Sequence, residues 1–180
     1  MSPGYDEAIL EATLRLMARD GYARMSMDAI AAEAGVTKGS IYRRYKGKAQ
    51  LATAALAFMR DRREQQVTDD VRADLIEELH RFRSGIERPN GMAMLGTVLA
   101  EENHVPELLE SFRRDVVLPR RARLRRVLER AELRPGLDVD SAINVLIGSY
   151  YAAYFASGRP KRGWEVRAAD LVLAPLRGEL

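Results

Sequence analysis

Two capping residues, Ser26 and Thr37, bracket one glycine, Gly35, and that arrangement admits few local structures. The Ser26 hydroxyl suits a helix start, where it accepts a backbone N–H that the helix leaves unpaired. Asp28 follows in the first turn, where the positive end of the helix dipole favours an anion. Ile30, Ala31 and Ala34 form a narrow apolar stripe for packing against other helices. Gly35 ends the helix in a left-handed conformation without a Cβ penalty. Val36 is an apolar plug, and Thr37 caps a second helix predicted over 38–45. That helix buries Ile41 and Tyr45 at i, i+4 spacing and turns Lys38, Ser40, Tyr42, Arg43 and Arg44 outward. The pattern is a helix-turn-helix, a unit that lays its second helix in the major groove of DNA.

Charge supports the same reading. The whole chain is only +3, yet residues 37–48 hold Lys38, Arg43, Arg44, Lys46 and Lys48 and no acid. Positive charge concentrated on one motif is the footprint of an element that meets phosphates.

The composition is globular, 47% hydrophobic and 31% charged, and the 180 residues contain no cysteine. Disulfides, thiolate nucleophiles and thiol redox sensing are therefore excluded. The start, MSPGYDEAIL, does not read as a signal peptide. The most apolar run, 142–156, is broken by Asn144, Gly148 and Ser149 and falls short of the ~18 apolar residues of a membrane span. A cytoplasmic protein without membrane contact is expected. His80 and His104 have no Cys or i, i+4 His partner, so no metal site is expected. No HExxH motif, glycine-rich phosphate loop or paired histidines are present, and neither a cofactor nor an enzymatic activity is expected.

Helical periodicity runs through the rest of the chain, and no alternating run is long enough for a strand. A first helix is predicted over about 6–20, stopped by Gly21, with Tyr22 covering the end of the core. Three helices of roughly 45 residues bury too little surface to be robust alone, so a fourth, over about 49–67, is expected to support them. Leu75, Leu79 and Phe82 mark an amphipathic helix; a break at 88–91 precedes an apolar helix over 92–102. Pro106 suits the first turn of a helix reaching about 131, which Pro119 should kink or split. Its arginines, Arg120, Arg121, Arg123, Arg125 and Arg126, read as a solvated face opposite Leu124, Leu128 and Ala131. Asp138 caps a helix to residue 157 that is apolar on nearly every side, and a last helix spans about 165–176. The expected fold is all-α, about nine helices. Its parts are a helix-turn-helix head (1–48), a connector (49–67) and a helical body for ligand binding and dimerisation (68–180).

A helix apolar all round needs partners on all sides. The body covers one face of 139–157, and a second copy of the chain would cover the other. Ile143, Ile147, Leu171 and Val172 are the candidate residues of that dimer interface. Met92, Met94, Phe112, Tyr150, Tyr151 and Tyr154 are candidates to line a cavity for an apolar or aromatic small molecule, although such side chains also build ordinary cores.

With these residues assembled, the chain resembles the tetracycline-repressor (TetR) family of transcriptional regulators. The resemblance is dense over residues 9–56. It is carried by Gly21-Tyr22, the Ser26 cap, Ile30-Ala31, Ala34-Gly35-Val36, Thr37-Lys38-Gly39, Ile41-Tyr42, Tyr45 and Lys48. Ser26 stands where Thr is usual, Arg44 where His is common and Tyr45 where Phe is usual. Beyond residue 70 the likeness is looser, at 131–138, the aromatic helix and Gly158-Arg159-Pro160. The resemblance implies a homodimer that docks two recognition helices on a palindromic double-stranded operator. It also implies a repressor that a small effector releases from DNA. An activator, or a DNA-binding protein with no ligand, is the alternative. Lys38, Ser40, Tyr42 and Arg43 are the candidates for base edges or nearby phosphates. Ser26, Thr37, Arg44, Lys46 and Lys48 are candidates for backbone contacts, and Gly39 for close approach of the helix to DNA.

Overall fold

The computed structural model describes residues 3–59, 64, 65, 67–89 and 91–174. Helices dominate: α1 (Pro3–Asp20), α2 (Met27–Ala34), α3 (Lys38–Tyr42), α4 (Lys48–Phe58), α5 (Val71–Ile86), α6 (Gly91–Ala100), α7 (Pro106–Phe112), a π-helical segment (Arg113–Val117), α8 (Leu118–Leu128), α9 (Val139–Ser157) and α10 (Trp164–Val172). Counting α7, the π segment and α8 as one uninterrupted helical run, there are nine helices among the described residues, and the fold is all-α as expected. The one β-type pairing among them is an isolated antiparallel bridge, Leu133 with Leu173.

The chain forms two compact units that interleave in sequence. The first comprises Met1–Arg62 and Ile86–Pro119, the second Arg63–Gly85 and Arg120–Leu180. In the first unit, Ile9, Leu16 and Met17 of α1, Ile30 of α2, Ile41 of α3 and Leu51 and Leu56 of α4 share one core. Met94 and Val98 of α6 and Leu108, Leu109 and Phe112 of α7 complete it. The support that a small three-helix head needs therefore comes from α6 and α7 as well as α4. Thr97 adds a polar tie, donating its hydroxyl to the Met17 carbonyl at 2.9 Å. Gly21 stops α1 at a φ of 80° that residues with a Cβ rarely adopt.

The second unit buries Leu75, Leu79 and Phe82 of α5, Leu124, Val127 and Leu128 of α8, and Ala142, Ile143, Leu146 and Tyr150 of α9. Trp164, Ala168, Ala169 and Val172 of α10 are buried too. Aromatic edges organise it: Phe82 and Tyr150 lie 5.4 Å apart at 90°, and Tyr150 and Trp164 5.3 Å apart at 79°. Asp138 caps α9 by accepting the Ser141 hydroxyl at 2.7 Å and the Ser141 N–H at 2.9 Å, and these hydrogen bonds hold its carboxyl below the usual range.

Three expectations need correction. The fourth helix does not reach residue 67: α4 ends at Phe58, and the described residues 64, 65 and 67 are not helical. Residues 60–63 and 66, the rest of its charged half, lie outside the described residues. The charged half of the sequence has no apolar stripe to bury, and side chains of the second unit hold the backbone of described residues in it and just beyond it. Arg81 donates to the Glu64 carbonyl at 3.0 Å, and Asp74 accepts the Thr68 N–H at 3.0 Å. Pro119 does not split its helix: α7, the π segment and α8 follow one another without a break. The π turn just before it, in which the Leu118 N–H reaches the Arg113 carbonyl, widens the helix where the proline ring would strike the preceding turn.

Third, the arginines of α8 are not a simple solvated face. Arg123 is buried beside Leu124 and donates to Glu78 at 3.0 Å. Arg121 and Arg125 engage Asp140, and Arg126 donates to Gln65 at 2.8 Å. Asn90, within the break expected at 88–91, and the predicted end of the last helix at residue 176 also lie outside the described residues; α10 ends at Val172.

Candidate nucleic-acid interface

Local chemistry builds the turn between α2 and α3. The Ser26 hydroxyl accepts the Ala29 N–H at 3.1 Å. Gly35 takes φ 67°, and its N–H and that of Val36 return to the carbonyls of Ala32 and Ala31. Thr37 accepts the Ser40 N–H at 3.3 Å, and the two hydroxyls lie 2.8 Å apart. Five residues in α3 suffice because Ile41 is fully buried and anchors the helix to the core. Beyond Tyr42 the chain stays coiled, with the Tyr45 N–H bonded to the Ile41 carbonyl at 3.0 Å. The predicted second helix is thus shorter at its C-terminus, while Tyr45 is half-buried against the core as expected. Burial raises the Tyr45 phenol above its ordinary pKa, with Arg44 opposing.

The outward row is where the sequence places it. Lys38, Gly39, Tyr42, Arg43 and Arg44 are exposed, as are Ser26, Thr37 and Lys46, and Ser40 is half-buried. Tyr42 is 49% exposed, an unusual position for a large aromatic ring. A Cβ at Gly39 would meet nothing within 4 Å, so the fold does not require a glycine there.

Several of the cations have partners within the chain. The Lys38 ammonium lies 2.8 Å from Asp28, whose hydrogen bond raises the lysine pKa. Arg44 pairs with Asp6 of α1. Lys46 donates its backbone N–H to Gln50 at 2.6 Å. Lys48 turns inward: its ammonium donates to the carbonyls of Tyr22 and Ala23 at 3.0 and 3.1 Å. Asp28, in sequence no more than a partner for the α2 dipole, is thereby part of the surface.

The candidate ligand residues fall in different units. Met94 and Phe112 belong to the core of the first unit, and Met92 is half-buried on α6. Tyr150, Tyr151 and Tyr154 lie on α9 in the second unit, where burial raises the Tyr151 phenol above its ordinary pKa, with Arg120 opposing. An open, mostly apolar groove of about 470 Å³ in the second unit is lined instead by Ser149, Trp164, Arg167, Ala168, Asp170 and Leu171. Trp164 donates its indole N–H to Ser149 at 3.0 Å beside it.

Of the candidate interface residues, Ile143 and Val172 are fully buried within the chain, Ile147 is half-buried and Leu171 is 57% exposed. The apolar and small residues that α9 leaves exposed are Val145, Gly148, Ala152, Phe155 and Ala156. Their spacing puts them on one face, and Phe155 is 82% exposed. Glycine and alanine at that spacing are a faint signal in sequence, since both also occur throughout cores. Among the described residues there is no group of acids and histidines able to hold a metal, and no helix long and apolar enough to cross a membrane.

Comparison with known proteins joins these features. Residues 9–55 match the family model of bacterial regulatory proteins of the tetR family, and residues 65–172 match the tetracyclin repressor-like C-terminal domain. A DNA-binding transcriptional repressor TetR of Mycobacteroides abscessus is 34% identical over 143 residues, 74% of this chain and 72% of that protein. An uncharacterized HTH-type transcriptional regulator of Mycobacterium tuberculosis is 33% identical over 125 residues, 68% of this chain. The match spans only 60% of that relative's length. Among solved structures, the flavonoid-responsive regulator FrrA has the same fold, with a TM-score of 0.71 at 17% identity, covering 97% of this chain and all of that one. The chain belongs to the TetR family of bacterial regulatory proteins.

Proposed function

We propose that this protein is a DNA-binding transcriptional regulator that acts in the cytoplasm as a homodimeric repressor, released from a palindromic operator by a small apolar or aromatic effector. The observation that carries the reading is α3, which is pinned by one buried residue, Ile41, while Lys38, Gly39, Tyr42 and Arg43 face outward. A short helix anchored from behind and polar in front can enter a major groove without unfolding the head. The similar protein of Mycobacteroides abscessus is named a repressor, and FrrA is named flavonoid-responsive. Both names favour a ligand-controlled repressor over an activator or a DNA-binding protein with no ligand.

The division of labour follows residues 1–48 as the reading head, 49–67 as connector and 68–180 as sensor and dimerisation body, with no enzymatic role. The exposed face of α9, from Val145 to Ala156, supports a two-fold contact, with Leu171 of α10 also exposed. This face replaces Ile143 and Val172, whose surfaces are already covered within the chain. Selection of bound duplexes from a random DNA pool tests the reading. The expected result is a two-fold symmetric consensus with half-sites about one helical turn apart. Recovery of no consensus, or of an unsymmetric one, would overturn it. Titrating aromatic compounds into the resulting complex then tests release.

A further inference from the structure

The Lys38 ammonium lies 2.8 Å from each of the two carboxylate oxygens of Asp28. Both side chains are open to solvent at the outer edge of the turn, 49% exposed for Lys38 and 71% for Asp28. Lys38 is the first residue of α3 and Asp28 stands in the first turn of α2, so the pair ties together the starts of the two helices. The turn itself is already held by the Ser26 and Thr37 caps and the left-handed Gly35. The pair is not needed to shape it.

Its position matters for a different reason. An unrestrained lysine is a point charge on a flexible stem and settles on any phosphate, which adds affinity without regard to sequence. A lysine already held by a carboxylate gives up that partner only where the DNA offers a better one. Asp28 also puts a negative charge at the start of α2, where a helix N-terminus would otherwise attract phosphate. Both effects weaken attachment to arbitrary DNA.

We propose that Asp28 is a positioning residue for DNA recognition: it holds Lys38 away from the phosphate backbone and so sharpens the preference for operator over other sequences. The proposal rests on the DNA-binding reading above and names a determinant of its specificity.

The test measures Asp28→Asn against the selected operator and a scrambled duplex, each over a range of salt. Affinity for the scrambled duplex should rise more than affinity for the operator, so that the ratio of the two falls several-fold. The slope of log affinity against log salt on the scrambled duplex should steepen by about 0.9, the signature of one more neutralised phosphate. In a Lys38→Gln background the same change should have a clearly smaller effect on that ratio and slope, because only the repulsion of phosphate by the Asp28 charge remains to be removed. An unchanged ratio would overturn the proposal. So would an equal effect of Asp28→Asn with and without Lys38, which would mean that the carboxylate acts only by repelling DNA. Wild-type protein that bound neither duplex would overturn the DNA-binding reading itself, and the proposal with it.

Discussion

The Lys48 ammonium stands 4.3 Å from the centroid of the Tyr22 ring while donating to the Tyr22 carbonyl at 3.0 Å. One side chain at the start of α4 thus satisfies the turn between α1 and α2 through a cation–π contact and two hydrogen bonds. Lys48→Met should lower the stability of the head by about 1–2 kcal/mol, seen as a lower melting temperature without DNA. Lys48→Arg should restore part of it. An unchanged melting temperature with weakened DNA binding would instead assign Lys48 to a phosphate.

Gly39 separates folding from binding. Its Cβ would point into open space and its backbone is helical, so Gly39→Ala should stabilise the free protein by about 0.5–1 kcal/mol. If the DNA comes close to this position, the same methyl should weaken operator binding. Opposite shifts in melting temperature and in affinity are expected; tighter or equal binding would place Gly39 away from the DNA.

Tyr42 is exposed, and the core does not depend on it. Tyr42→Ala should leave the helical circular dichroism and the melting temperature unchanged and weaken operator binding at least tenfold in a gel-shift titration. Wild-type affinity should itself fall steeply with added salt, as it does when several phosphates are neutralised. A flat salt response would remove the electrostatic basis of the interface.

Asp74 of the second unit is buried. Its burial favours the neutral acid, but hydrogen bonds from Arg130 and from the Thr68 N–H and hydroxyl outweigh that and hold its pKa below the ordinary 3.8. A depressed carboxylate stabilises the fold fully above its unfolded pKa and loses that contribution as pH falls through the folded one. Asp74→Asn should therefore lower the urea midpoint at pH 7 and cost progressively less as the pH is taken below 3.8. An equal loss at pH 7 and pH 3 would assign the effect to shape rather than charge.

The exposed face of α9 gives the sharpest test of assembly. Ala152→Arg puts a charge on a residue with no role in the chain's own core, so it should yield folded monomers in sedimentation. Ile143→Ala, at a fully buried position, should instead cost about 2–5 kcal/mol of stability. An Ala152→Arg protein that sediments like wild type would move the interface elsewhere.

The sequence by itself determined whatever depends on neighbours a few residues apart. Ser26, Gly35, Thr37 and Asp138 cap their helices as their residue types predict, because a cap is a hydrogen bond within one turn of its own helix. The burial of Ile41 and the exposure of Tyr42 follow from the helical period in the same way. Only the tertiary structure decided which of two apolar faces α9 buries, since that depends on the helices laid against it. It also decided that α6 and α7 join the head's core, and that Arg123 goes inward to Glu78, 45 residues away. Lys38 and Lys48 make the same point. Both read as cations free to meet phosphate, and both are engaged by groups that the fold, and not the local sequence, brings within 3 Å.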